Sequence, residues 1–160
     1  MTDTAPFPAL RTHVLAEHVD HNGHMGIRAY TRLFDEATTP FYVHLGISRD
    51  AVKNAGGTIF ALQDTAWYRR EVMQGDPLLI TGQLIDFDNN KVVSFLTMQQ
   101  MRDDYVAACF EIIEVFIDWE TRKPGAFPET IMTRLAEVQA EQSHLERPRF
   151  SGRGVELKRK

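Results

Sequence analysis

Between Val19 and Met25 the chain runs Asp20, His21, Asn22, Gly23 and His24 in direct succession. Of these, Asp20 is the group best suited to chemistry. A carboxylate can attack an acyl carbonyl or take a proton from a water beside it. Either reaction also needs donors aimed at the oxygen where negative charge develops. A helix N-terminus supplies such donors, because its first N–H groups have no intrahelical partner and carry a partial positive charge. Asp20 stands a few residues before a segment that reads as a helix, so both requirements meet in one short stretch. The same residues admit simpler roles. Asp20 can stabilise the loop or cap the helix, and His24 can brace the loop. His18, His21 and His24 with Asp20 offer metal-binding atoms, but at no established ligand spacing.

The elements that position this stretch follow from periodicity. Thr12 to Val19 reads as a short strand. Beyond the polar cluster, Ile27, Tyr30, Phe34, Ala37, Phe41 and Leu45 recur at spacings of three and four, one apolar stripe of a helix that stops at Gly46. Pro40 inside that stripe predicts a kink or a break into two segments. After Gly56-Gly57 the pattern turns to strands: Thr58 to Val72, Leu78 to Phe87, Lys91 to Met101 and Tyr105 to Trp119, with turns at Gln74–Pro77, Asp88–Asn90 and Arg102–Asp104. The last strand is apolar on both faces and contains Cys109, so it belongs inside the sheet as core. Pro128 opens a helix to about Gln142. The order is strand, long helix, four strands. One helix can cover one face of a five-stranded antiparallel sheet only by lying across it.

Composition narrows the function classes. The chain has 160 residues, 43% hydrophobic and 25% charged, which suits a single packed domain. A net charge of −4 argues against a dedicated nucleic-acid binder. No run approaches membrane-spanning length, the first residues do not read as a signal peptide, and one cysteine allows no intrachain disulfide, so the expected location is the cytoplasm. The expected organisation is one domain over residues 1–146, followed by a basic, solvated and flexible tail over 147–160. Arg147, Arg149, Arg153, Lys158, Arg159 and Lys160 in that tail are alternatively read as contacts to phosphates or to a second subunit.

Asp20, followed by Gly23-His24-Met25 and then Tyr30, resembles the motif of the 4-hydroxybenzoyl-CoA thioesterase-type hotdog family. Gln74-Gly75-Asp76, and Asp118-Trp119 leading to Arg122-Lys123-Pro124 and Pro128, resemble its later landmarks, so the likeness covers about residues 10–140. It implies an α+β hotdog fold, a five-stranded antiparallel sheet wrapped around one long helix. It further implies hydrolysis of an acyl-CoA, with coenzyme A entering as part of the substrate and no separate cofactor or metal. Asp20 matches the catalytic aspartate, and Ile27 matches the residue whose backbone N–H polarises the thioester carbonyl. Asn22, His24, Tyr30, Phe34 and Trp67 are the expected substrate contacts. Gly26 stands where the family usually has asparagine.

The longer string Val-Asp-His-Asn-Gly-His-Met resembles betainyl-CoA thioesterases of carnitine and betaine breakdown. An aromatic surface from Trp67, Tyr68 and Phe34 would suit their quaternary ammonium. The expected unit is a homodimer or homotetramer with active sites at the subunit boundary. CoA phosphates are expected at surface cations, with Arg69, Arg70, Lys91 and the tail as candidates. Glu36, in mid-helix, is the alternative carboxylate. Two other functions stay open: a hotdog enoyl-CoA hydratase or dehydratase using Asp20 and His24, whose spacing here is four with glycine rather than five with proline, and a non-catalytic acyl-CoA-binding module.

Overall fold

The computed structural model describes residues 5–155. Five strands form one antiparallel sheet: β1 (Phe7–His13), β2 (Gly57–Tyr68), β3 (Pro77–Phe87), β4 (Lys91–Gln100) and β5 (Tyr105–Asp118), in the order β1-β3-β4-β5-β2. The apolar stripe becomes α1 (Ile27–His44). Phe34, Ala37, Phe41 and Leu45 are fully buried along it. Its first half packs with Leu96, Met98, Phe110 and Ile112 of the sheet. The second half packs with α2 (Arg49–Asn54) and α3 (Glu129–Glu141). This is the expected hotdog arrangement, with β3, β4 and β5 interior and β1 and β2 at the edges.

Three details depart from the sequence reading. The first strand is Phe7–His13, earlier than expected, and Ala16–His18 forms a 3-10 turn. Pro8 is accommodated because β1 is an edge strand, where a missing N–H need not break a ladder. Pro40 does not divide α1, since buried Ala37 and Phe41 on either side hold the helix against the sheet. The six-residue α2, capped by Ser48 Oγ accepting from Ala51 N at 3.1 Å, is too short for a periodic signal.

The ends of the strands decide where a site can form. Tyr68 ends β2, and Arg69 N and Arg70 N both donate to Ala107 O (2.8 and 3.2 Å), so the chain leaves the regular ladder there. Met25 N then donates to Val72 O at 3.0 Å, which ties the segment before α1 to the segment after β2. The Gln74-Gly75-Asp76 landmark is a turn locked by buried Asp76, which accepts from Met73 N at 2.9 Å and pairs with Arg102 at 2.7 Å.

Candidate active site

The loop before α1 is organised around Asp20. Its backbone N–H donates to His24 O (3.0 Å) and its carbonyl accepts from Gly23 N (3.0 Å). Gly23 sits at φ +82°, a turn conformation that glycine adopts without strain. One carboxylate oxygen, Oδ1, accepts from Asn22 N at 2.8 Å. The other, Oδ2, lies over Gly26, where a Cβ would come within 3.0 Å of it and within 3.1 Å of Asp20 Cβ. Glycine at position 26 therefore makes room for the carboxylate. Its own N–H donates to His18 O at 2.9 Å, which fixes the approach to the helix.

The next residue begins α1. Gly26 provides no side-chain cap, and among the described residues nothing accepts from the Ile27 N–H. Ile27 is 64% exposed. Asp20, His24, Ile27, Tyr30, Tyr68 and Glu71 are among the walls of a cavity of about 390 Å³, completed by Met25, Arg69 and Arg70. Tyr30 and Tyr68 meet edge to face with centroids 5.1 Å apart. Burial, then the neighbouring Tyr105, Tyr68 and Glu71, push the Tyr30 phenol up to about 12, so it stays neutral. His24 turns Nδ1 to Met25 O (3.2 Å) and Nε2 toward Glu71 (3.9 Å). The arrangement places a carboxylate oxygen, an unpartnered helix N–H and a neutral phenol around one space large enough for an acyl group.

Of the residues singled out from sequence, Asp20, His24, Ile27 and Tyr30 come together. Asn22 is exposed and contributes its backbone N–H to the loop rather than a side chain to the cavity. Two of the expected contacts lie away from this cavity. Phe34 is fully buried and stacks on Phe110 at 5.1 Å, about one turn further along α1 than Tyr30, the last helix residue to line the cavity. Trp67 faces the other side of the sheet, because it adjoins Tyr68, which faces α1, and successive strand residues alternate. Glu36 is paired with Arg32 at 2.8 Å on the exposed helix face, outside the cavity. His18 is buried, and its Nδ1 accepts from Leu15 N at 3.1 Å. Among the described residues no three His, Cys, Asp or Glu side chains gather as a metal site. Glu71 escaped the sequence reading because it follows a strand end with no motif around it.

A family model described as the thioesterase-like superfamily matches residues 14–135. An L-carnitine dehydrogenase/betainyl-CoA thioesterase from a Rhizobium species is 26% identical over 98% of this chain, which spans 31% of that protein's length. A betainyl-CoA thioesterase from Pseudomonas aeruginosa is 23% identical, covering 91% of this chain and 92% of its own. Among solved structures, a hypothetical protein from Staphylococcus aureus, determined in complex with CoA, superposes with a TM-score of 0.85 at 28% identity, covering 96% of this chain and 99% of that one.

Proposed function

The chain belongs to the thioesterase-like superfamily, and from that premise we propose that it hydrolyses an acyl-CoA thioester at the Asp20 cavity. The observation that carries this reading is the placing of Asp20 Oδ2 over Gly26, at the start of a helix whose Ile27 N–H is unpartnered. The thioester carbonyl oxygen accepts from Ile27 N–H, which opposes the charge that develops as the carbonyl is attacked. Asp20 either attacks the carbonyl carbon, giving a mixed anhydride that water then cleaves, or removes a proton from the attacking water. Both routes consume one water and yield a carboxylic acid and the CoA thiol. Oδ1 stays engaged with Asn22 N throughout, so the carboxylate is held at one oxygen and reacts through the other. His24 braces the loop and Tyr30, neutral, lines the acyl side.

Betainyl-CoA is the acyl donor we propose, on the names of the relatives and on the cavity itself. The rings of Tyr30 and Tyr68 with the Glu71 carboxylate suit a quaternary ammonium head. A panel of acyl-CoAs, followed by thiol release and by enoyl absorbance, tests both levels. Thiol release fastest with betainyl-CoA is expected. Thiol release favouring uncharged acyl groups contradicts the substrate, and an enoyl change without thiol release contradicts the reaction.

The working unit we propose is a homodimer at least. β2 is an edge strand, Phe60 to Asp64 are exposed in succession, and Phe60 (44%) and Leu62 (55%) present apolar side chains there. Light scattering at micromolar concentration should give at least twice the chain mass. A fully active monomer contradicts this.

A further inference from the structure

The face of the sheet turned away from α1 carries a second cavity, of about 500 Å³, whose lining includes Arg69, Phe95, Cys109, Arg149 and Phe150. It exists because the chain after α3 folds back over the sheet. Gln83 Nε2 donates to Glu146 O at 3.2 Å, Gly152 N to Glu111 at 2.7 Å, and Ser151 Oγ to Glu111. Phe150 stacks on Trp67 with centroids 5.7 Å apart, and Trp67 on Phe95 at 5.9 Å. Two guanidinium groups flank the Phe150 ring, Arg69 at 4.9 Å and Arg149 at 5.6 Å. Among the described residues neither is paired with a carboxylate, in a chain with more acids than bases. The Cys109 thiol beside them is pushed by burial up to about 11, which suits a binding wall rather than a nucleophile.

An aromatic surface beside two guanidinium groups that no carboxylate among the described residues neutralises has the chemistry to hold a flat heterocycle carrying phosphates. Arg69 also lines the Asp20 cavity, so the end of β2 stands between the two spaces. We infer that this outer cavity holds the nucleotide end of the CoA substrate, with its base against Phe150 and its phosphates on Arg69 and Arg149, while the pantetheine arm rounds the end of β2 to the Asp20 cavity. The inference rests on the acyl-CoA reading above. It also separates the candidate cations. Arg70 does not line the outer cavity, and Lys91 pairs with Asp88 at 3.3 Å in the β3–β4 turn. Lys158, Arg159 and Lys160 lie outside the described residues.

Full-length enzyme is compared on an acyl-CoA and on the same acyl group carried by N-acetylcysteamine, which has no nucleotide. Adenosine 3′,5′-bisphosphate serves as the calorimetric probe. Arg149→Glu should raise KM for the acyl-CoA about 10-fold, the scale of one charge-assisted contact. It should weaken the probe by a similar factor and leave kcat/KM for the truncated thioester unchanged, while Arg149→Lys restores most of the difference. An equal loss on both thioesters would mean that Arg149 only fastens the segment to the sheet, and it overturns the inference. So does an unchanged KM for the acyl-CoA in Arg149→Glu. If wild-type enzyme cleaves both thioesters in those cases, the acyl-CoA reading stands without the inference. If it cleaves neither, the reading itself fails and takes the inference with it.

Discussion

On the helix side of the sheet, one continuous stretch, Asp20 to Tyr30, supplies most of a cavity of about 390 Å³, and Tyr68 to Glu71 close it. On the outer side, a cavity of about 500 Å³ draws on Arg69 just after β2, on β4 and β5, and on a segment some eighty residues beyond β2. The first is built by a turn whose hydrogen bonds run between near neighbours, so its geometry survives wherever the loop and helix form. The second depends on the chain after α3 returning to the sheet, and its aromatic stack needs Trp67, Phe95 and Phe150 brought together from three places. The groups proposed to react sit in the locally specified cavity, where small displacements matter most. The cations proposed to bind phosphates, Arg69 and Arg149, reach the one assembled from afar, where binding would tolerate adjustment.

Phe34→Ala should have the largest effect of three substitutions on the helix side. Phe34 is fully buried beneath the sheet, so its truncation should cost about 3–5 kcal/mol by denaturant unfolding. The surviving folded enzyme should keep its KM. A raised KM at near-normal stability would return Phe34 to the substrate and move the floor of the cavity deeper. Gly26→Asn installs the residue the family usually has, with a Cβ that would crowd the Asp20 carboxylate at 3.0 Å. A shift of Asp20 by part of an ångström should lower kcat about 10-fold with little change in melting. Wild-type kcat would mean that Asp20 has freedom the loop does not suggest.

The smallest effect concerns the last turn of α1, away from both cavities. Tyr42 donates to Glu114, and burial, reinforced by Asp35, raises that carboxyl despite the hydrogen bond. A carboxyl raised in the folded state favours folding in acid, and that contribution is lost as pH rises through its folded value. Glu114→Gln should therefore melt above wild type at pH 8 and converge with it near pH 4. A melting difference independent of pH would assign the effect to packing.

The helix-side cavity was largely legible in the sequence, because Asp20, Gly23, His24, Ile27 and Tyr30 are contiguous and followed by a periodic stripe. The same stripe could not say how far along it the cavity extends. Tyr30 and Phe34 share a face, yet only Tyr30 stands at the open end. Trp67 and Tyr68 were ambiguous for a different reason. Both sides of β2 mix apolar with polar residues, and the bulge between Ala61 and Gln63 shifts the register before them. Nothing local in Arg147–Gly152 announces its return to Glu111 and Trp67, since those contacts exist only once the sheet has formed.

The account stands most directly on Asp20. Asp20→Asn keeps an oxygen to accept from Asn22 N, so the turn should persist and melting should change by little. Turnover of the N-acetylcysteamine thioester, which reports chemistry without the nucleotide, should fall about 10²–10⁴-fold, the range for a positioned general base. A variant that melts early yet turns this thioester over at the wild-type rate would contradict the account, leaving Asp20 as a loop residue and the reacting carboxylate elsewhere.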